Sequence, residues 1–307
     1  MKKRIFVYPI VFGALLLSLI LTFVYGRPEA LAQVSDDKAT LVQKTSASTK
    51  RSEVRSAVSS RFLRASTENG RLRNSLKWSF AGKPQTGWNL YALLIGKTIG
   101  SESSPDTAEF AQAISEWQSR SGLPANGILD LPTLEMFVKT WQSQRRVDAV
   151  NSNSGQLVSA PITDFYDPSR GAELLQLDRE SYAAYKRMIA AAMKDLSDDL
   201  RITKAGELAP EEKFLRIVSA FRSPEYQAQL RKKEPNAGRG ALAKHSVHST
   251  GRALDIYVGG EPVITKDANR AIQVQTPVYK WLVKNAHRYG FYPYFYEPWH
   301  WEYVPGN

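Results

Sequence analysis

Ser246-Val247-His248-Ser249-Thr250-Gly251-Arg252-Ala253-Leu254-Asp255-Ile256-Tyr257-Val258 changes character at Gly251. Before it the residues are short and polar, as in a turn. After it Leu254, Ile256 and Val258 alternate with Ala253, Asp255 and Tyr257, as in a strand with one buried face. An Asp there needs a partner, because an unpaired buried carboxylate is costly. The turn at Gly251 lets His248 fold back towards Asp255, and Ala253 keeps that face uncrowded. A second stretch, Glu297-Pro298-Trp299-His300-Trp301-Glu302-Tyr303, reads as a last strand over 299–304. His300 and Glu302 share one face, and Trp299, Trp301 and Tyr303 share the other. Pro298 biases Glu297 away from helix. The two stretches together offer two imidazoles, one carboxylate ligand and one spare carboxylate. Three protein ligands leave the fourth position of a tetrahedral zinc open, as in catalytic sites, and the spare Glu297 suits a base. The chain has no cysteine, so His and carboxylates are its only strong metal ligands.

Working outward, Asp178 is placed to cap a long helix with Tyr182, Tyr185, Ile189, Met193 and Leu196 on one face. A strand is expected over 215–221, a helix from Ser223-Pro224, a Gly/Pro-containing loop over 233–247, and a helix over 276–288 stopped by Gly290. This irregular alternation predicts an α+β catalytic domain over 166–307, with a small antiparallel sheet flanked by helices. Upstream, Leu90, Leu93 and Leu94, then Phe110, Ile114 and Trp117, then Leu134, Phe137, Val138 and Trp141 recur at helical spacing. They predict a small three-helix domain over 85–142, with a turn at 122–127 and Pro132 in the first turn of the last helix. Residues 143–165 read as a polar linker.

The 307 residues carry a formal net charge of +11. Residues 1–72 hold 12 Lys/Arg against 5 Asp/Glu, so the excess lies in a tail. A nucleic-acid binder concentrates basic charge on a folded face, so no nucleic-acid partner is expected. An anionic membrane surface or an acidic wall polymer is the simpler partner for this tail. Lys2-Lys3-Arg4 precedes an apolar run over 5–25, and Ala30-Leu31-Ala32 matches a signal-peptidase site. Residues 1–32 therefore read as a signal peptide or transmembrane anchor, and the rest as extracytoplasmic, either anchored or secreted. Residues 33–84 read as a flexible basic Ser/Thr-rich tether.

Ser246, His248, Gly251, Ala253 and Asp255, followed by Glu297, Trp299 and His300, meet every position of SxHxxGxAxD…ExWH. In this the chain resembles the zinc D-alanyl-D-alanine peptidases of the VanX/VanY type, over about 166–307. The resemblance implies Zn2+ held by His248, Asp255 and His300, with Glu297 as general base. The segment Phe221-Arg222-Ser223-Pro224-Glu225-Tyr226-Gln227 resembles the family's YRS-like element with Phe in place of Tyr. By that likeness Arg222 is expected to act on the scissile carbonyl or the developing oxyanion, and Ser246 and Gln227 to orient substrate. His245 reads as solvated and His287 as structural.

Residues 110–118, Gly122-Leu123-Pro124, Asn126-Gly127-Ile128 and Thr133-Leu134 resemble the three-helix peptidoglycan-binding module of wall hydrolases. The chain departs from it at Leu131-Pro132, where Gly-Pro is usual. The two resemblances together imply a peptidase acting on peptidoglycan stem peptides, with wall glycan as a further partner. A D,D-carboxypeptidase removing terminal D-Ala is the expected activity. An endopeptidase with the same zinc site, or a non-catalytic wall-binding protein, are the alternatives.

Overall fold

The computed structural model describes residues 60–145, 156–233 and 246–304. The expected signal or anchor segment over 1–32 lies outside them, as does most of the expected tether. Among the described residues no helix is long and apolar enough to cross a membrane.

The remainder of that tether is a correction. Helix α1 runs through residues 60–75, followed by an antiparallel hairpin of β1 (Lys77–Phe80) and β2 (Lys83–Thr86). The polar composition conceals a helical stripe in which Phe62, Ala65, Ser66, Asn69 and Leu72 are buried. Asn69 ties α1 to the loop beyond it. Its Nδ2 donates to the Gly127 carbonyl at 2.9 Å, and its Oδ1 accepts from Leu129 N at 2.7 Å. A buried amide satisfied at both ends fixes register as an apolar contact does not.

Three helices follow: α2 (Ala92–Ile99), α3 (Ala108–Arg120) and α4 (Leu131–Gln144). Thr107 caps α3 by accepting from Phe110 N, and Asp130 caps α4 by accepting from Thr133 N. Pro132 stands in the first turn of α4, where a missing N–H costs nothing.

The second half begins earlier than expected. Within the expected linker, β3 (Leu157–Ser159) pairs antiparallel with β4 (Gln176–Asp178). Asp178 then caps α5 (Arg179–Asp195), its Oδ1 accepting from Glu180 N and Ser181 N at 3.0 Å each. The main sheet has the order β5 (Ile217–Ser219), β6 (Ala253–Ile256), β8 (His300–Tyr303), β7 (Phe291–Pro293), antiparallel throughout. Helices α6 (Pro224–Lys233), α7 (Asp267–Gln273) and α8 (Pro277–Asn285) complete it. A 3-10 turn over Ala286–Tyr289 extends α8 to its stop at Gly290. The fold is mixed helix and sheet with small antiparallel sheets, as the irregular alternation predicts.

Buried side chains of α2–α4 and of the main sheet form one contiguous apolar core. Phe295 is its junction. Phe80 stands 4.7 Å away at 76°, and Tyr91 and Trp141 each lie 5.6 Å away, ring centroid to centroid. Arg270 of α7 crosses the same boundary, buried, and donates to Gln85 Oε1, the Tyr91 hydroxyl and the Tyr296 carbonyl. The segment just before Glu297 is thus packed from the N-terminal side.

Candidate metal centre

His248 lies in a 3-10 turn, Val247–Thr250, that Ser246 caps by accepting from His248 N at 3.3 Å. The turn closes at Gly251 with φ +67°, in the left-handed region that only glycine enters freely. A Cβ there would meet Asp178 N at 2.6 Å and Leu157 Cδ2 at 2.9 Å. Gly251 therefore lets the turn press against β3 and β4, where its carbonyl accepts from Asp178 N and the Ser181 hydroxyl at 3.0 Å each. Asp255 on β6 stands in register with Ser219 on one side and His300 on the other.

His248, Asp255 and His300 each direct one ligand atom into a common point, all within 4.8 Å of one another, and all three residues are buried. Their outer contacts set the protons. His248 Nδ1 lies 2.7 Å from the Ala220 carbonyl. A carbonyl can only accept, so Nδ1 carries the hydrogen and the Nε2 lone pair faces Asp255 Oδ1 at 3.3 Å. His300 Nε2 lies 3.3 Å from Glu302 Oε1. That carboxylate is held down to about 2, against its burial, by His300 and Arg145, so it too accepts. His300 Nδ1 is left facing Asp255 Oδ1 at 2.9 Å.

Once the proton between His300 Nδ1 and Asp255 is displaced, two ring lone pairs and a carboxylate oxygen converge. A proton on one ring satisfies only one of these contacts, whereas a divalent cation satisfies all three. The donor set of two imidazoles and one carboxylate, each ring held from behind by an oxygen acceptor, fits zinc. The charges agree with this. Burial lowers His248 to about 4, with Arg222 adding to it, so the ring is neutral and free to ligate. Burial opposes charge on His300, but Asp255 and Glu302 raise it to about 9, so without metal that ring holds a second proton, and the carboxylates that hold it would equally favour a metal cation in its place. Asp255, though buried, is held well below the usual carboxylate range by His248, His300 and Arg222.

Arg222 starts the segment leading to α6. Its Nε donates to Ser219 Oγ at 2.9 Å and its Nη2 to Asp255 Oδ2 at 2.7 Å. Asp255 therefore turns one oxygen to the histidines and the other to a guanidinium. Glu297 sits in the tight turn entering β8, its N–H donating to the Tyr294 carbonyl at 3.1 Å and its own carbonyl accepting from His300 N at 2.9 Å. Its side chain is 6% exposed, and Oε1 has no hydrogen-bond partner among the described residues. Burial raises its pKa to about 7, with His300 pulling down and Asp255 pushing up. An uncoordinated carboxyl poised near neutrality beside three converging ligands has the character of a general base.

Ser246 is engaged in capping the His248 turn, and Gln227 is buried on α6 beyond Arg222. His245 lies outside the described residues. His287 is exposed in the turn after α8 and is not part of the cluster. The reading of single stretches missed the role of Glu302 behind His300, although the shared strand face was its signal. It also missed Arg145, which no local pattern marks.

Residues 174–306 match the family model described as VanY: D-alanyl-D-alanine carboxypeptidase, in agreement with the SxHxxGxAxD…ExWH resemblance. Among solved structures the chain is similar to an LdcB LD-carboxypeptidase whose structure addresses peptidoglycan recognition. The identity is 27% over 51% of this chain and 71% of that one, with a TM-score of 0.36. It is also similar to a vancomycin-resistance D,D-pentapeptidase, VanY, in complex with Zn(II). There the identity is 22% over 42% of this chain and 73% of that one, with a TM-score of 0.25. No curated protein matches the chain.

Proposed function

We propose that the chain is a zinc-dependent peptidoglycan peptidase, a D,D-carboxypeptidase that removes the terminal D-Ala of stem peptides outside the cytoplasm. The observation that carries this reading is the convergence of His248, Asp255 and His300 within 4.8 Å near the buried, uncoordinated Glu297. A site that only stored metal has no need of a fourth, raised-pKa carboxyl.

Zinc held by these three side chains supplies Lewis-acid polarisation of a carbonyl and acidifies water. Glu297 takes a proton from the attacking water and later delivers it to the leaving amine. Arg222 holds Asp255 in its charged form and turns its remaining N–H donors to the oxygen on which charge develops. Ser246 maintains the turn that presents His248, and Gln227 contributes to the substrate side of α6. Helices α2–α4, by their resemblance to a wall-binding module, keep the enzyme on wall glycan, which raises the local concentration of stem peptide. The basic tail adds an anionic membrane surface as a further partner.

Mass analysis of defined pentapeptide muropeptides, with zinc and with a chelator, tests the reading. Zinc-dependent loss of one alanine is the expected result. Internal fragments would shift the assignment to the endopeptidase, and intact muropeptide with zinc-loaded protein would overturn it.

A further inference from the structure

We propose that Arg145, at the end of α4, is a positioning residue for the metal centre, acting through Glu302 on His300. The inference rests on the metal-site reading above and adds that the helical half of the protein sets zinc affinity.

Arg145 Nε donates to Glu302 Oε1 at 3.0 Å, and its Nη2 donates to the same oxygen. That oxygen is the one 3.3 Å from His300 Nε2. The contact is sheltered, the side chains of Arg145 and Glu302 being 22% and 11% exposed. The guanidinium also lies 4.0 Å from the centre of the Tyr294 ring, and Tyr294 stands edge-on to His300 at 5.9 Å and 82°. One cation therefore rests on both a carboxylate and an aromatic ring that neighbour His300. A carboxylate behind a ligating imidazole fixes its tautomer and orientation. Two charge-assisted hydrogen bonds from one guanidinium hold that carboxylate in turn.

The end of α4 is itself held in place. Trp141 packs on Phe295 at 5.6 Å and donates from its indole N–H to Thr98 Oγ1 at 2.9 Å. Glu302 has Ala253 opposite it on β6 and Tyr292 on β7, so neither neighbouring strand partner is a cation. Arg145 supplies that cation from 157 positions away.

Zinc affinity of the full-length protein, measured by competition with a chromogenic chelator, tests the proposal. Wild-type protein that takes up no zinc would overturn the metal-site reading itself. With wild-type uptake established, R145Q is expected to weaken zinc by roughly 10–100-fold, and unchanged affinity would overturn the role given to Arg145. E302Q should weaken zinc as well, and the double variant should lose little more than the worse single one, since both act on one contact. Fully additive losses would overturn the route through Glu302. K284A removes the Lys284–Glu102 ion pair, another contact between the same two parts of the fold, and is expected to leave zinc affinity unchanged. A loss equal to that of R145Q would mean general loosening and would overturn the proposal.

Discussion

Asp255 and His300 stand opposite each other on adjacent antiparallel strands, with Asp255 Oδ1 2.9 Å from His300 Nδ1. The register of β6 against β8 thus brings together two of the three candidate ligands. The 3-10 turn before β6 adds His248, whose Nε2 lies 3.3 Å from the same oxygen. Because the three atoms meet only in the folded protein, a metal held there would be coupled to folding.

Zinc should therefore stabilise the wild-type protein against heat. At a free zinc concentration 1,000-fold above Kd the linkage amounts to about 4 kcal/mol. H248A and D255A should lose both the bound zinc and the zinc-dependent rise in Tm. Differential scanning fluorimetry with and without a chelator, together with metal analysis, checks this; a zinc response in D255A equal to wild type would contradict the ligand assignment.

D255A should also be intrinsically less stable. Arg222 Nη2 and Asp255 Oδ2, 2.7 Å apart, form an ion pair with side chains only 11% and 2% exposed. Removing one partner of a buried pair costs about 3–5 kcal/mol. Urea unfolding in chelator should show the loss, and D255A/R222M should recover part of it.

E297Q should keep zinc and lose turnover by roughly 10²–10⁴-fold, the usual contribution of a general base. Metal-free, the same variant should gain stability at alkaline pH. The Glu297 carboxyl is raised from 4.5 to about 7 by burial, so between these values the folded state holds a proton that the unfolded state has released. Wild-type stability accordingly falls as pH rises through that window, by roughly 3 kcal/mol at most. Chelated E297Q should melt above chelated wild type at pH 8, and the difference should close towards pH 4; parallel pH profiles would show that Glu297 is not buried as described.

G251A should destabilise the protein by about 1–2 kcal/mol and weaken zinc. The added Cβ would meet Asp178 N at 2.6 Å, displacing the turn that carries His248. Chemical denaturation and chelator competition on the same sample check both effects.

The fold was readable where a local pattern carries a local cause. Asp178 caps α5, Pro132 opens α4 and Gly290 ends the turn after α8, because caps and breakers act within a few residues. The alternation over 252–258 pointed to a strand, which the structure places at 253–256, and His248, Asp255 and His300, the expected ligands, lie together in the fold. Helix α1 was misread as tether because its buried stripe includes Ser66 and Asn69. A composition rich in Ser and Arg describes its exposed faces and not the one packed on the Gly127 loop.

The amino-acid sequence by itself determined which residues can hold a cation, roughly where the strands that bear them lie, and which family the motif resembles. The tertiary structure alone decided their protonation and support. It set the Ala220 carbonyl behind His248, Glu302 and Arg145 behind His300, Arg222 on Asp255, and the burial of Glu297. The physical reason is that tautomer, pKa and ring orientation depend on neighbours in space. Those neighbours come from segments as far apart as Arg145 and Glu302, whose proximity follows from the shared core around Phe295 and from no pattern along the chain.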